Sequence, residues 1–444
     1  MAPLRCYLAM MSGFVFLSRT CAFPSLYRSS RSYEWLMASK LDSFMEELLG
    51  NQTLQSSAPS PCVERPPSDG WRRINWVEEA TKLEGVDLEP SPVDLVLVRD
   101  RLVHFKRDDT LRLEGSQVSG NKARKMLALN YLDDFPSCIV SYGGPQSNAM
   151  VALAAIARFK NDEVGQPNRT KLVYYTKTLP TFLRNQPSGN LFRAQMLGME
   201  LRQLPQKQYN ELFGSEWGGL TDPPPDLAPP VEGDSVWVPQ GGASDCAIAG
   251  ARKLAKEIVD YWSLRGDGKP LTVFVPGGTC STAQLLHVSL RELCDNPLDI
   301  DVVVVPCVGD QAYARRQMMA LNAQLDHPVD DIATALPPVP KTPRGGVPRS
   351  DKDSYFSFGK PNAALLSTFR QMKDDYEIPL DLLYGASAWT TLLRHWRSVD
   401  GVFMGERELM YVHSGGLEGI NTQLLRYKYE GLVDDADVQL PGRS

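Results

Sequence analysis

The eight cysteines contain no Cys-x-x-Cys pair, and the five histidines, at 104, 287, 327, 395 and 413, never gather into a local cluster. The usual spacing of a metal or redox motif is therefore missing, so the thiols are expected to be reduced and no structural metal is expected. A patch of one charge sign is missing too. Forty-seven Lys and Arg are scattered among 53 Asp and Glu, for a net charge of -6, and leave no electrostatic footprint for a nucleic acid or an anionic membrane. No apolar run is long enough to span a bilayer: Cys6 to Leu17 has only the length of a signal-peptide core. No repeat of fixed period stands out. What remains is a composition of 43% apolar and 23% charged residues, that of a folded domain whose partner is a small molecule.

At 444 residues the chain exceeds one ordinary domain, and a targeting region followed by two lobes is the natural division. The first 40 residues set Arg5, Arg19, Arg28, Arg31 and Lys40 against a single acid, Glu34, with serines at 12, 18, 25, 29, 30 and 32. That is presequence composition. Cys21-Ala22-Phe23-Pro24 resembles the junction of bipartite plastid presequences, so a plastid is the expected location, with a mitochondrion as the alternative. Residues 41–70, with the run Ser56-Ser57-Ala58-Pro59-Ser60-Pro61, read as a linker. The mature chain is expected to have no membrane segment.

Beyond residue 70 an apolar, β-rich run ends four times in a paired-glycine turn and gives way to a helical stretch. These runs are Cys138–Tyr142 before Gly143-Gly144, Val236–Val238 before Gly241-Gly242, Val273–Val275 before Gly277-Gly278, and Leu409–Val412 before Gly415-Gly416. Strands apolar on both faces, alternating with helices such as Ala149–Phe159 and Ala247–Trp262, predict an α/β fold with mainly parallel sheets. Ligands in such sheets bind beyond the carboxyl ends of the strands, where all four turns would lie. Two proline-rich stretches, 221–230 and 336–349, interrupt the rhythm as surface loops, the second a plain insertion or a lid.

Gly277-Gly278-Thr279-Cys280-Ser281-Thr282 follows a strand and opens a helix, so its backbone N–H groups and hydroxyls suit a phosphate at the positive helix end. It is neither a Walker loop nor a dinucleotide fingerprint, which leaves the phosphate of a small cofactor or a plain tight turn. Lys122, read alone, is a solvated surface charge. Its neighbours point elsewhere: Asn121-Lys122-Ala123-Arg124-Lys125 opens a helical segment that sets Lys125 one turn from Lys122 on the same face. One amine is then available for covalent chemistry while the other faces phosphate, and each disfavours the charged form of its neighbour.

With these residues the chain resembles the 1-aminocyclopropane-1-carboxylate deaminase and D-cysteine desulfhydrase branch of the fold-type II, tryptophan synthase beta-like, pyridoxal phosphate enzymes. The resemblance runs from about Leu95 to Asn421. It is carried by His104-Phe105-Lys106-Arg107-Asp108-Asp109, Gly120–Lys125, Tyr142-Gly143-Gly144-Pro145-Gln146-Ser147-Asn148, Val238–Ser244, the 277–282 loop, Leu383-Tyr384 and Val412-His413-Ser414-Gly415-Gly416. It implies pyridoxal 5'-phosphate as cofactor, a small amino acid as substrate and a homodimer. It further implies a large cofactor-binding domain (71–125 and 235–444) and a small domain (126–234) that closes over substrate.

Position by position, Lys122 matches the lysine that carries the cofactor and Asn148 the residue that hydrogen-bonds its ring oxygen. Ser147 matches the serine beside the reacting carbon, Tyr384 an active-site tyrosine, and Lys125 the helix lysine near the phosphate. Gly277, Gly278, Thr279, Cys280, Ser281 and Thr282 match the phosphate cup. Ser147 and Asn148 also read as caps of the following helix. The deaminases carry a glutamate after the tyrosine and a leucine before the paired glycines, where this chain has Gly385 and Ser414. A neutral hydroxyl near the ring nitrogen makes a weaker electron sink than a carboxylate, which favours β-elimination of D-cysteine over opening of a cyclopropane. Phe358 stands where both branches have tyrosine. Another pyridoxal phosphate lyase, a racemase and a non-catalytic binder of the cofactor are the alternatives.

Overall fold

The computed structural model describes residues 70–86, 89–214, 222–293, 298–337, 356–396 and 407–438. The expected presequence, the linker before Gly70 and residues 338–349 of the second proline-rich stretch lie outside the described residues. Ten strands form two sheets: β1 (Val93–Val98), β2 (Arg101–Lys106), β3 (Cys138–Tyr142), β4 (Lys171–Lys177), β5 (Glu200–Leu204), β6 (Ser235–Trp237), β7 (Leu271–Gly277), β8 (Ile300–Pro306), β9 (Thr334–Ala335) and β10 (Glu408–Val412).

The larger sheet has the order β1-β2-β10-β7-β8-β9 and the smaller β5-β4-β3-β6. Every pairing is parallel except β1 with β2, a hairpin that turns at Arg99, whose φ of 55° is left-handed. β6 begins at Ser235, expected in the large domain, yet it pairs with β3 of the smaller sheet. The first proline-rich stretch is a loop whose Leu227 is buried and accepts a hydrogen bond from Trp71 Nε1 on its carbonyl.

Alternation along each strand explains why both sheets are covered on both faces. In the larger sheet Val273, Val275, Val302, Val304, Met410 and Val412 enter one core with Leu254, Ile258 and Leu286. Their neighbours Phe274, Val303, Val305, Leu409 and Tyr411 enter another with Trp389 and Leu392. The smaller sheet divides likewise: Ile139, Leu172, Tyr174 and Val236 face the helices, while Tyr142 and Trp237 stack with Phe213 on the far side.

Six helices bear on the site: α1 (Gly120–Lys125), α2 (Asn148–Glu163), α3 (Gly189–Met196), α4 (Ile248–Arg265), α5 (Ser281–Leu293) and α6 (Gly385–His395). No helix among the described residues is long and apolar enough to cross a membrane.

Candidate active site

A cleft of about 300 Å³ opens at the carboxyl ends of both sheets. Its lining brings together Lys122, Lys125, Asn148, Gly278, Thr279, Cys280, Ser281, Thr282, Tyr384 and Ser414. Two expected site residues stand behind it. Gly277 is the buried end of β7, and Ser147 caps α2, its Oγ accepting from Met150 N at 3.4 Å with the Tyr174 phenol beside it. Of the paired glycines, Gly241, Gly278, Gly415 and Gly416 reach the cleft, whereas Gly143 and Gly144 do not.

At one end the β7–α5 turn forms a cradle. The chain reverses at Cys280 with φ 56°, which places Ser281 at the start of a 13-residue helix. Lys125 Nζ donates to Ser281 Oγ at 2.6 Å and to Gly241 O at 3.1 Å, and the Thr279 and Ser281 hydroxyls are 3.0 Å apart. Thr282 Oγ1 donates to Asn121 Oδ1 at 3.0 Å and so joins this turn to α1. A Cβ on Gly278 would lie 2.9 Å from Tyr384 Cε1, so only glycine lets the tyrosine ring close over the turn. Phe358 packs against that ring at a tilt, with centroids 5.2 Å apart.

The two lysines share a polarity problem. Burial lowers the Lys122 pKa to about 8, and no described residue hydrogen-bonds or ion-pairs its amine. Burial first, and then the Lys122 charge, hold Lys125 well below the ordinary lysine range. Asn148 is also half committed: its Oδ1 accepts from Asn190 Nδ2 at 2.6 Å, while its own Nδ2, beside Gly416, has no acceptor among the described residues.

Helix α1 is too short to hold itself, and a buried charge network holds it. The Arg124 guanidinium reaches Asp108 at 2.8 and 3.1 Å and Glu257 at 2.5 and 2.7 Å. Lys106 completes the set, bonded to Glu257 at 2.5 Å and to the Ser91 carbonyl. Two cations and two anions balance, which burial requires. α4 approaches α1 so closely that a Cβ on Gly250 would fall 1.9 Å from Arg124 O. At the start of α1, Asn121 N donates to Ser414 O at 2.9 Å, which ties the lysine segment to the loop after β10.

Several lining residues are not evident from the sequence: Asn190, Arg193 and Leu197 on or just beyond α3, Ser116 to Ser119, and Glu418. None sits in a motif. No group of three metal-ligating side chains occurs among the described residues.

No protein-family model and no curated protein matches the chain. Among solved structures it is similar to an ACC deaminase homologue, at 18% identity and a TM-score of 0.55 over 81% of this chain and 100% of that one. A T.th. threonine deaminase (14%, TM-score 0.44, 77% and 96%) and maize serine racemase (15%, TM-score 0.44, 81% and 98%) are more distant. The first likeness establishes a shared fold, the fold-type II α/β architecture.

Proposed function

We propose that the chain is a pyridoxal 5'-phosphate-dependent lyase acting on a small amino acid, and that its reaction is β-elimination of D-cysteine or a close relative to pyruvate, ammonia and hydrogen sulfide. The observation that carries this is Lys122. A partnerless amine with a pKa of about 8 faces a cleft whose other end is a hydroxyl and amine cradle at a helix N-terminus.

The residues present fit the cofactor. Lys125, Thr279, Ser281, Thr282 and the start of α5 would hold its phosphate, the free Asn148 Nδ2 its ring oxygen, and Ser414 its ring nitrogen. Bound there, pyridoxal phosphate supplies the electron sink for a carbanion at the substrate α-carbon.

The chain's own groups do the rest. Lys122 moves the α-proton, because burial leaves about one amine in ten neutral at pH 7 and half at pH 8. Ser147, behind the cleft, caps the head of α2 and so fixes where Asn148 stands. Tyr384 stays protonated, since burial raises its pKa, and offers a phenol O–H rather than a base. Opening a cyclopropane asks for a stronger sink. Gly385 provides no carboxylate, and a Cβ there would meet Leu380 at 3.0 Å and Asp381 Oδ2 at 3.2 Å. Among the described lining residues the sole acid is Glu418, which accepts from Ser119 Oγ at 2.5 Å.

Two measurements test the proposal. The purified protein should absorb at about 410 to 430 nm and lose the band in Lys122→Ala; a colourless protein defeats the cofactor assignment. D-cysteine, L-cysteine, D-serine and 1-aminocyclopropane-1-carboxylate are then supplied and sulfide, pyruvate and 2-oxobutyrate assayed. Release of 2-oxobutyrate without sulfide would replace desulfhydration by deamination.

A further inference from the structure

We propose that Arg193 reads an anionic group on the substrate's side chain, so that among the close relatives of D-cysteine the cleft favours those whose β-substituent carries a negative charge. This rests on the reading of the cleft as an amino-acid site and adds its specificity.

The cleft is long, and its two ends differ. One face of α2 lines it through Asn148, Val151, Ala152 and Ala155, a spacing of three and four residues that covers about 10 Å of helix. Asn148 belongs to the cofactor end; beyond it the wall is apolar. Across from it, the α3 face presents Asn190, Arg193 and Leu197. Asn190 is tied to Asn148 and to the Gln146 carbonyl, which fixes where α3 meets α2. Arg193 therefore stands about one helical turn, roughly 5 Å, farther from the cofactor end than the Asn190–Asn148 bond.

The charges in the cleft leave Arg193 over. Lys125 is taken up by Ser281 Oγ and Gly241 O, and Lys122 is assigned to chemistry. Glu418 is occupied by Ser119 and lies 4.0 Å from Arg112. Arg193 is exposed at the rim and forms no hydrogen bond or ion pair with any described residue, although a guanidinium is always charged. Ser116 Oγ, also in the lining, is buried without a hydrogen-bond partner among the described residues. An amino acid whose carboxylate lies near Asn148 and whose side chain runs along Val151 and Ala152 delivers its far end to Arg193. An anion at that end suits Arg193, because a planar guanidinium receives a carboxylate or a similar oxyanion in a paired bond.

The test titrates the holoenzyme with D- and L-glutamate and their neutral isosteres D- and L-glutamine, reading the shift of the cofactor band, for wild type, Arg193→Gln and Arg193→Lys. Wild type should respond to one glutamate enantiomer at about tenfold lower concentration than to the matching glutamine. Arg193→Gln should remove that preference while keeping the band itself, and Arg193→Lys should restore part of it. An unchanged glutamate-to-glutamine ratio in Arg193→Gln overturns the proposal. If the protein carries no cofactor, the proposed function fails by itself, and the same pairs titrated by thermal shift decide Arg193: equal shifts in wild type and Arg193→Gln reject it.

Discussion

At position 122 the cost of burial and the needs of the chemistry coincide. A lysine used as a nucleophile or base has to be neutral, and the enclosure that deprives its ammonium of water lowers its pKa from 10.5 to about 8. Covalent capture of added pyridoxal phosphate by cofactor-free protein should therefore quicken as pH rises from about 6 to about 9, with a midpoint near 8, followed by the growth of the visible band. A rate independent of pH across that range would contradict the assigned pKa. The sign for stability follows from the same shift. A base whose folded pKa is depressed disfavours folding below that pKa, and the penalty fades as pH climbs toward the unfolded value. Cofactor-free Lys122→Met should then melt above wild type at about pH 6.5, with the difference closing at higher pH.

These residues are legible in the sequence because their chemistry is local: two lysines a turn apart and a glycine turn before a helix. Arg193 and Asn190 are not, since nothing near either in the chain distinguishes it from surface polar groups. Their meaning comes from the packing of α3 against α2.

Among the elements, α1 has the most to lose. Its six residues hold both lysines, and its position depends on the Arg124–Asp108–Glu257–Lys106 network and on the missing side chain at Gly250. Gly250→Ala forces a Cβ into a backbone carbonyl 1.9 Å away, so α1 or α4 has to shift. Urea unfolding should show a loss of about 2 kcal/mol or more, with weaker cofactor retention. Asp108→Asn leaves a buried guanidinium short of one anion and should cost about 3 to 5 kcal/mol by the same measurement.

The strands β3, β7 and β10 are evident in the sequence because runs apolar on both faces have one ready explanation, a sheet covered twice. The antiparallel β1–β2 hairpin and the membership of β6 in the smaller sheet are not. The hairpin lacks a glycine-rich turn to announce it, and a three-residue strand carries too little pattern to declare a partner far away in the chain.

For the whole molecule, one cleft receives residues from position 116 to position 418, so a ligand there holds the folded chain together by mass action. Saturation at about 100 times the dissociation constant adds roughly 2.7 kcal/mol. Pyridoxal phosphate should raise the melting temperature by several degrees, and Ser281→Ala should blunt that rise more for pyridoxal phosphate than for phosphate-free pyridoxal. Equal blunting of both would move the phosphate away from the β7–α5 turn.

The position of β10 has a consequence for how the protein is made. It follows the other nine strands in the chain, yet it lies between β2 and β7, and no other described strand bridges them. As the chain leaves the ribosome, β7, β8 and β9 can assemble while the β1–β2 hairpin, made well over a hundred residues before β7, waits without a neighbour, its inner edge open to other chains. Asn121, beside Lys122, cannot bond Ser414 until that gap is filled. Folding is therefore completed by one late event, in which insertion of one five-residue strand closes the sheet and assembles the cleft together.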